Sequence, residues 1–305
     1  MLAQSGQPHR VAFLAGGTRS DAEAGFKAFL GGMQALGYHE GVNLAVDAQY
    51  AEYSAERGRR LAADIASRRP VAIVATGGGI DFAYRLAPPL PVVFVHSGNP
   101  VDAGYADSLS RPGRNATGIS LMALDLIVKR MEFLKQVKPS LRRVAFLASP
   151  EHPGHPRELA ASRAAAVQLG VEVVYHEVGT PAELAAALPV VAAEKPDGAL
   201  LFSDALMVGQ RQQLAEFFLK NRIPSAAGWS AFPDSGHVLS YGPERLAVWR
   251  RISYFVDRIL KGARPAELPI ELPTTFELVV NRRAAAAMGL SLPQAILVRA
   301  DRIIG

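Results

Sequence analysis

The chain has 305 residues, of which 49% are hydrophobic and 20% charged, a composition typical of a globular protein of about two domains. No apolar run approaches the roughly 18 residues that cross a bilayer. The absence of cysteine excludes disulfides, zinc–thiolate sites and cysteine nucleophiles, and it is compatible with either the cytoplasm or the periplasm.

The net charge of +5 would suit a nucleic-acid-binding protein, but the arginines are scattered along the chain. No basic segment is interleaved with stacking aromatic residues, and no helix-turn-helix precedes the first strand. A solvated basic surface explains the charge better, and we expect no nucleic acid partner. The polar start, MLAQSGQPHR, has no apolar signal core and is compatible with a processed precursor that carries a new initiator Met.

The first part of the chain alternates apolar strands with amphipathic helices. Val11–Ala15 (VAFLA) is predicted to be a buried strand, and a turn containing Gly17 and Thr18 leads from it into a helix. Leu44–Tyr50 is predicted to be the second strand, and Ser54 is a candidate N-cap of the next helix.

The stretch that follows contains two turns at one edge of the predicted sheet. A strand is followed by Thr76-Gly77-Gly78-Gly79, and the next strand by Ser97-Gly98. Open α/β sheets bind ligands at the carboxyl ends of their strands, and N–H groups there favour an anionic group. The alternative is a tight turn that needs glycine for backbone reasons only. GxGxxG and GK[ST] are both absent, so no nucleotide cofactor is predicted.

The same order of elements occurs a second time. The pentapeptide VAFLA returns at Val144–Ala148, Val171–Tyr175 matches the second strand, and Pro181 begins another helix. The segment Glu194–Asp204 then corresponds to Arg68–Thr76. We therefore predict an α/β protein with two similar lobes, each a doubly wound parallel sheet.

The C-terminal part of the chain is predicted to complete both lobes. Leu246–Ile259 is a strongly periodic helix, Phe276–Val280 a strand, and Ile296–Val298 a last extended piece. If the chain crosses between the lobes three times, residues 1–120 plus 243–273 form the N-terminal lobe, and residues 121–242 plus 274–305 form the C-terminal lobe. The crossings would make a hinge beneath a cleft that closes on a small molecule.

The second lobe contributes its own candidate ligand residues. Ser203 and Asp204 end a strand and would bind polar groups of a ligand; alternatively, Asp204 only caps the next helix. Ser149 and His152 belong to the loop after the second VAFLA. The run Glu151–His155 lacks the ligand spacing of a metal site, so we interpret it as a polar rim of the cleft and predict no metal.

Two aromatic residues complete the candidate site. Trp229 ends the next strand of the second lobe, where it either stacks on a ligand or packs as core against the hinge. Tyr241 lies at the second crossing and either packs in the hinge or donates a hydrogen bond to a ligand. Trp249, at helical spacing, is predicted to be core, and His96 and His237 are predicted to be structural.

Several segments resemble one known family. They are SLSRPGRNATGIS (Ser108–Ser120), KRMEFLKQVKP (Lys129–Pro139), SYGPE (Ser240–Glu244) and a long C-terminal motif, Arg250–Pro293. Through them the chain resembles, over nearly its whole length, the ABC-transporter substrate-binding proteins of the tryptophan/tyrosine type. The resemblance implies a type I periplasmic binding protein-like fold with two lobes and three crossings, export to the periplasm, and a membrane permease as partner.

The chain departs from the family pattern in three segments. Asn99-Pro100-Val101 stands where the family has a DPV-type turn, and Arg114 stands at the second glycine of its RPGGN segment. Members with aromatic amino-acid ligands have an Asp-Asn-Thr segment where this chain has Asp204-Ala205-Leu206. Only Asp204 carries over, so the resemblance favours a small carboxylate ligand in general, an amino acid or an aromatic acid.

Residues and resemblance together predict a solute-binding protein of an ABC importer. It would capture a small carboxylate-bearing ligand in the interlobe cleft, deliver it to a permease and perform no chemistry. We expect a periplasmic monomer without a cofactor. Two alternatives stay open: the ligand-sensing core of a regulator, against which the missing DNA-binding headpiece argues, and a two-lobed enzyme, for which no acid–base pair is found.

Overall fold

Strands and helices alternate along the chain in the computed structural model, which describes residues 7–121, 123–150, 155–202 and 204–305. The strands are β1 (His9–Ala15), β2 (Leu44–Tyr50), β3 (Ala72–Thr76), β4 (Val92–His96), β5 (Ala116–Ser120), β6 (Arg143–Ala148), β7 (Glu172–Glu177), β8 (Gly198–Leu201), β9 (Ser225–Ala227), β10 (Leu239–Pro243), β11 (Phe276–Asn281) and β12 (Arg302–Ile304).

The helices are α1 (Arg19–Ala35), α2 (Ala55–Ser67), α3 (Gly79–Tyr84), α4 (Ala123–Val137), α5 (His155–Leu169), α6 (Pro181–Glu194), α7 (Ala205–Gly209), α8 (Arg211–Lys220), α9 (Ala231–Asp234), α10 (Arg245–Leu260), α11 (Arg282–Ala287) and α12 (Gln294–Arg299). Within the described residues, no helix is both long and apolar enough to span a membrane.

The chain divides into two units, each assembled from two separate segments. Unit 1 comprises Met1–Leu121 and Arg245–Leu272, and unit 2 comprises Met122–Glu244 and Pro273–Gly305. The backbone therefore passes from one unit to the other three times. Each unit has its own sheet and its own hydrophobic core.

The sheet of unit 1 is parallel throughout and has the order β2-β1-β3-β4-β5. Alternate residues of β1 pack on opposite faces, because side chains of a strand alternate. Leu14 packs with Ile65 of α2 and Ile80 of α3, whereas Phe13 contacts Phe26 of α1 and Trp249 of α10. Helices on both faces make this a doubly wound sheet.

Close packing of α10 on α1 explains why the late helix belongs to unit 1. A Cβ at Gly25 would lie 2.6 Å from the Trp249 ring, and a Cβ at Gly32 would lie 2.3 Å from Ser253 Oγ. The two glycines are seven residues apart, so they lie on the same face of α1. Trp249 is buried, as its spacing predicts.

The sheet of unit 2 has the order β12-β11-β10-β9-β8-β6-β7. Its β7-β6-β8-β9-β10 part has the same strand sequence as the sheet of unit 1, which matches the repeated VAFLA segments. β11 joins β10 antiparallel, and all other pairs are parallel. The predicted α/β fold with two doubly wound parallel-sheet lobes is confirmed.

One predicted element is wrong. Ile296–Val298 lies in helix α12 rather than in an extended piece, and the last strand is β12. The helix begins directly after Pro293 and buries Ile296 completely, while Val298 is 75% exposed. A short apolar run has no period of its own, so the amphipathic helix is not visible in the sequence.

Candidate functional site

Three turns of unit 1 come together at the carboxyl edge of its sheet. Gly17 and Thr18 follow β1, the Thr76–Gly79 turn follows β3, and Ser97 and Gly98 follow β4. These strands are neighbours in the order β1-β3-β4, so the turns adjoin. The structure therefore brings the predicted site residues of the first lobe to one place.

Backbone geometry accounts for part of the glycine content of these turns. Gly16 N–H donates to Thr76 O at 3.0 Å, and a Cβ at Gly16 would lie 2.8 Å from Gly78 N. Gly77 has a φ of +56°, and a Cβ at Gly79 would lie 2.5 Å from Leu14 O. The glycines are therefore required by the backbone of a tight turn, which is the alternative that we considered. This requirement is compatible with ligand binding at the same turn.

Several donors at this edge have no partner within the described residues. The N–H groups of Gly78 and Gly79 donate to no described acceptor, and the hydroxyls of Thr76 and Ser97 form no described hydrogen bond. Thr76, Gly78 and Ser97 are all partly accessible. An anionic group placed there would find amide and hydroxyl donors together, which is how carboxylates are commonly held in proteins.

The hydroxyl of Thr18 is already used within the protein. Thr18 Oγ1 accepts from Asp21 N–H at 3.3 Å and Thr18 N–H donates to Asp21 Oδ2 at 2.9 Å, which makes a capping box at the start of α1. The Thr18 hydroxyl also donates to Asp21 Oδ2, at 2.6 Å. Thr18 therefore fixes the turn rather than offering a free hydroxyl.

The turn after β4 is fixed by a buried histidine. His96 Nδ1 lies 2.8 Å from Gly98 O, and Ser120 Oγ donates to the same oxygen at 2.7 Å. Burial lowers the pKa of His96, so the ring is neutral at pH 7. With Nδ1 donating to Gly98 O, His96 positions the turn that carries Ser97, a structural role as predicted.

In unit 2, Asp204 links the turns after β6 and β8. Its Oδ1 accepts from Met207 N–H at 2.8 Å and its Oδ2 from Ser149 N–H at 3.2 Å. Asp204 is therefore the N-cap of α7, the structural role that we considered. A carboxylate has about four lone-pair positions, so it can still accept a hydrogen bond from a ligand.

The carboxyl group of Asp204 is a weaker acid than an ordinary aspartate. Burial raises its pKa to about 6, although the N–H groups of Met207, Ser149 and Leu206 favour the charged form. Within the part of the chain that the structure describes, no positively charged side chain contributes to this pKa. A ligand ammonium beside it would supply the missing positive charge.

The two aromatic candidates differ in their surroundings. Trp229 follows β9, the strand next to β8, and is partly accessible, so it lies at the same edge as Asp204. Tyr241 lies within β10, and its ring packs against Phe133 at 5.3 Å and Phe276 at 6.2 Å between ring centroids. This packing gives Tyr241 a structural role; ligand contacts of either residue stay predictions.

Two candidate residues, His152 and Ser203, lie outside the described residues. Within the described part of the chain, no group of three His, Cys, Asp or Glu side chains could hold a metal ion. His237, predicted to be structural, is buried between Ser225 Oγ at 2.8 Å and Arg211 O at 2.9 Å.

Sequence reasoning missed one group of residues at the edge of unit 1. The Tyr53 hydroxyl donates to Asp21 Oδ2 at 2.5 Å, and Tyr53 N–H donates to Gly16 O at 2.8 Å. The loop from β2 to α2 thereby joins the turns described above. Ser54 marks the start of α2 in the sequence, but no glycine, proline, asparagine or aspartate marks the turn at Glu52 and Tyr53, so the local pattern does not point to it.

Comparison with known proteins agrees with this architecture. A family model described as ABC transporter substrate binding protein matches residues 11–304. The chain belongs to this family. The family resemblance stated from the sequence motifs is thereby confirmed. Substrate-binding proteins of ABC importers generally work outside the cytoplasm, and their family implies a small-molecule ligand and a transporter permease.

Relatives of the chain cover most of its length at low identity. A tyrosine-binding protein from Clostridioides difficile (strain R20291) is 21% identical over 266 residues, which are 87% of this chain and 76% of that protein. A conserved domain protein from Vibrio cholerae has a crystal structure with a TM-score of 0.89 and 22% identity, covering 97% of this chain and 100% of its own.

A third similar protein is an ABC domain from Streptococcus pneumoniae in complex with L-Trp. Its TM-score is 0.87 at 19% identity, over 98% of this chain and 100% of that chain. Identities this low show a common fold.

Proposed function

We propose that this protein is the solute-binding component of an ABC importer. It captures a small carboxylate-bearing ligand, an amino acid or an aromatic acid, outside the cytoplasm and delivers it to a membrane permease. Family membership supports the transport role. The tyrosine-binding relative and the L-Trp complex of a similar structure support the ligand class.

The observation that carries the ligand class is the opposite character of the two sheet edges. Thr76, Gly78 and Ser97 offer donors without described acceptors, and Asp204 offers a carboxylate without a cationic partner among the described residues. The donors of unit 1 suit a carboxylate, and the Asp204 carboxylate of unit 2 suits an ammonium or hydroxyl group. In this proposal, donors of unit 1 hold the carboxylate, and Asp204 binds the ammonium or hydroxyl group.

The proposal includes a conformational step but no chemical one. The three crossings between the units would act as a hinge, ligand binding would favour the closed form, and the permease would recognise that form. We propose that the protein works as a periplasmic monomer. A ligand returned chemically altered after incubation with the protein would contradict the transport role.

A thermal-shift screen with amino acids, aromatic acids and other small carboxylates tests the ligand class. A ligand present at 100 times its dissociation constant should stabilise the protein by about 2.7 kcal/mol. Sugars of similar size serve as the comparison. The proposed ligand class would be overturned if a sugar raised the unfolding temperature and no carboxylate did.

The role of Asp204 is tested by Asp204→Ala with Asp197→Ala as matched control. Asp197 also accepts two backbone hydrogen bonds, from Arg142 N–H at 2.9 Å and Arg143 N–H at 3.1 Å, but it precedes β8 and lies at the other edge of the sheet. Isothermal titration with a ligand from the screen should show that Asp204→Ala loses about 1.5–3 kcal/mol of binding free energy, whereas Asp197→Ala loses none. Affinity of Asp204→Ala within about twofold of the wild type would show that the pairing is wrong.

A further inference from the structure

A cavity of about 280 Å³ opens at the amino edge of the sheet of unit 1, beside the C-terminal end of α2. This volume is at the lower end of the range for small-molecule sites. The apolar part of its wall is formed by Ala12, Ala45, Val46, Ile65 and Pro70. From Arg10 at its rim to Gly16, six positions of extended chain span about 20 Å. The cavity is therefore separate from the turns at the carboxyl edge.

Three charged side chains, Arg10, Asp47 and Arg68, line the same cavity. Two of them neutralise each other, because Asp47 Oδ2 accepts a hydrogen bond from the Arg68 guanidinium. The other oxygen of this carboxylate, Asp47 Oδ1, accepts from Gln49 Nε2 at 2.7 Å. Arg10 is exposed, and its guanidinium forms no hydrogen bond or ion pair among the residues that the structure describes. One positive charge without a counterion therefore stands beside an apolar wall.

The repeat in unit 2 shows what accompanies the equivalent arginine there. Arg10 precedes VAFLA in β1, and Arg143 precedes it in β6. The parallel register places Ala45 of β2 opposite Arg10. In the same register, Glu172 of β7 lies opposite Arg143.

In unit 2 the chain itself supplies the acceptors for this arginine. Arg143 Nε lies 3.6 Å from Glu172 Oε2, and Arg143 Nη1 donates to Glu194 O at 3.4 Å. In unit 1 an alanine stands where unit 2 has the glutamate, so the arginine keeps its charge and loses the carboxylate. The short side chains of Ala12 and Ala45 also leave room in the wall of the cavity.

We propose that this cavity is an accessory binding site for a small organic anion with a single negative charge. The anionic group pairs with Arg10 in the place that Glu172 takes beside Arg143, and an apolar body of a few carbon atoms lies against Ala12 and Ile65. Because Asp47 already balances Arg68, a second negative charge would find no partner. The site does not depend on the ligand proposed for the carboxyl edge.

Methyl NMR of protein labelled at alanine, isoleucine and valine locates the site directly. Titration with butyrate should shift the Ala12, Ala45 and Ile65 methyl signals to a saturating value. Two probes of the same size, 1-butanol and butylammonium, should bind at least about tenfold more weakly, because they lack the charge that pairs with the guanidinium. Saturating shifts of Ala75 and none of the cavity methyls would place butyrate elsewhere and overturn the proposal.

Four variants separate the charge from the cavity. Arg10→Gln should weaken butyrate binding about tenfold, because a hydrogen bond to a charged group is lost. Arg143→Gln removes the equivalent arginine of unit 2 and should leave the affinity unchanged. Ala45→Glu supplies the carboxylate that unit 2 already has and should abolish binding, whereas Ala45→Ser keeps the cavity and should retain it. Thermal unfolding of each variant confirms that it is folded before titration.

The contrary outcomes are equally distinct. Equal affinity of the wild type and Arg10→Gln for butyrate would show that Arg10 does not hold the anion. If the cavity methyls give no saturating shift with butyrate, Arg10 is a solvated arginine beside a gap in packing, and the proposal is wrong. None of these results bears on the ligand at the carboxyl edge, which the Asp204 variants test separately.

Discussion

At the scale of single residues, two aspartates of unit 2 show how surroundings set the acidity of a carboxyl group. Burial raises the pKa of Asp197, but the N–H groups of Arg142 and Arg143 and the Lys138 ammonium together outweigh it, so the pKa is lowered. Burial also raises the pKa of Asp204, and no cation opposes it, so the pKa reaches about 6. The same side chain is stabilised in its charged form at one edge and destabilised at the other.

This difference predicts opposite pH dependence for two amide variants. A carboxyl group whose pKa is raised on folding stabilises the protein below its unfolded pKa, near 4, and this contribution is lost as the pH rises through 6. The free energy of unfolding of the wild type relative to Asp204→Asn should therefore fall by roughly 3 kcal/mol from pH 3 to pH 7. The free energy of unfolding of the wild type relative to Asp197→Asn should instead increase as the pH rises through the acidic range.

Urea unfolding at pH 2, 3, 4, 5, 6 and 7 measures both differences, since the Asp197 contribution changes mainly below pH 4. Parallel curves for the wild type and Asp204→Asn would show that the Asp204 carboxyl group titrates as in the unfolded chain. In the proposed complex a ligand ammonium would lower the pKa of Asp204, so saturation with an amino acid should make the pH dependence of the two proteins more alike.

At the scale of elements, contact between α1 and α10 depends on residues without side chains. Trp249 and Ser253 occupy the space that side chains at Gly25 and Gly32 would take. Ser253 Oγ also donates to Phe29 O at 2.8 Å, so the two helices are joined by a buried hydrogen bond. Such close packing leaves no room for added atoms, because protein interiors are packed to crystal-like density.

Neighbouring glycines of α1 provide a test of this contact. Gly32→Ala should destabilise the protein by about 1–3 kcal/mol, because its Cβ would lie 2.3 Å from Ser253 Oγ and 2.8 Å from Arg250 O. Gly31→Ala meets no atom within 4 Å and should stabilise the helix by up to about 1 kcal/mol. Thermal and urea unfolding give both values. Equal effects of the two substitutions would mean that α10 is not seated on this face of α1.

At the scale of the whole molecule, neither unit is a continuous piece of chain. The core of unit 1 needs α10, whose buried residues Trp249, Ile252 and Phe255 follow the first segment of unit 2 in the sequence. The core of unit 2 likewise needs Leu278 and Val280 of β11, which pairs with β10. The two units therefore cannot be separated by a single cut.

Fragments of unit 1 should show this dependence directly. Residues 7–121 alone expose the face of β1 that α10 covers, and we expect them to be unfolded by circular dichroism. The same residues joined through a short Gly/Ser linker to residues 245–272 should unfold cooperatively in urea, because the fragment then contains the whole core of the unit. A cooperative transition of residues 7–121 alone would contradict the role of α10.

Local sequence patterns predicted many strands and helices of this protein, because such patterns reflect local structure. The two VAFLA segments form β1 and β6, Leu44–Tyr50 forms β2, and Ser54 accepts the predicted capping bond from Arg57 N–H. The repeated order of elements predicted two doubly wound sheets, since strands and helices in alternation have few stable arrangements. The motifs up to Pro293 predicted the family.

Only the tertiary structure decided which groups meet at the site. Tyr53 joins the Gly16 and Asp21 turns through bonds between residues 32 and more positions apart, and the burial that makes Asp204 a weak acid comes from its neighbours in space. The glycines of α1 are explained only by Trp249 and Ser253, more than 200 positions later. Sequence period determines which face of an element is apolar, whereas contacts between distant residues determine acidity, strain and close packing, and these appear only when the chain is folded.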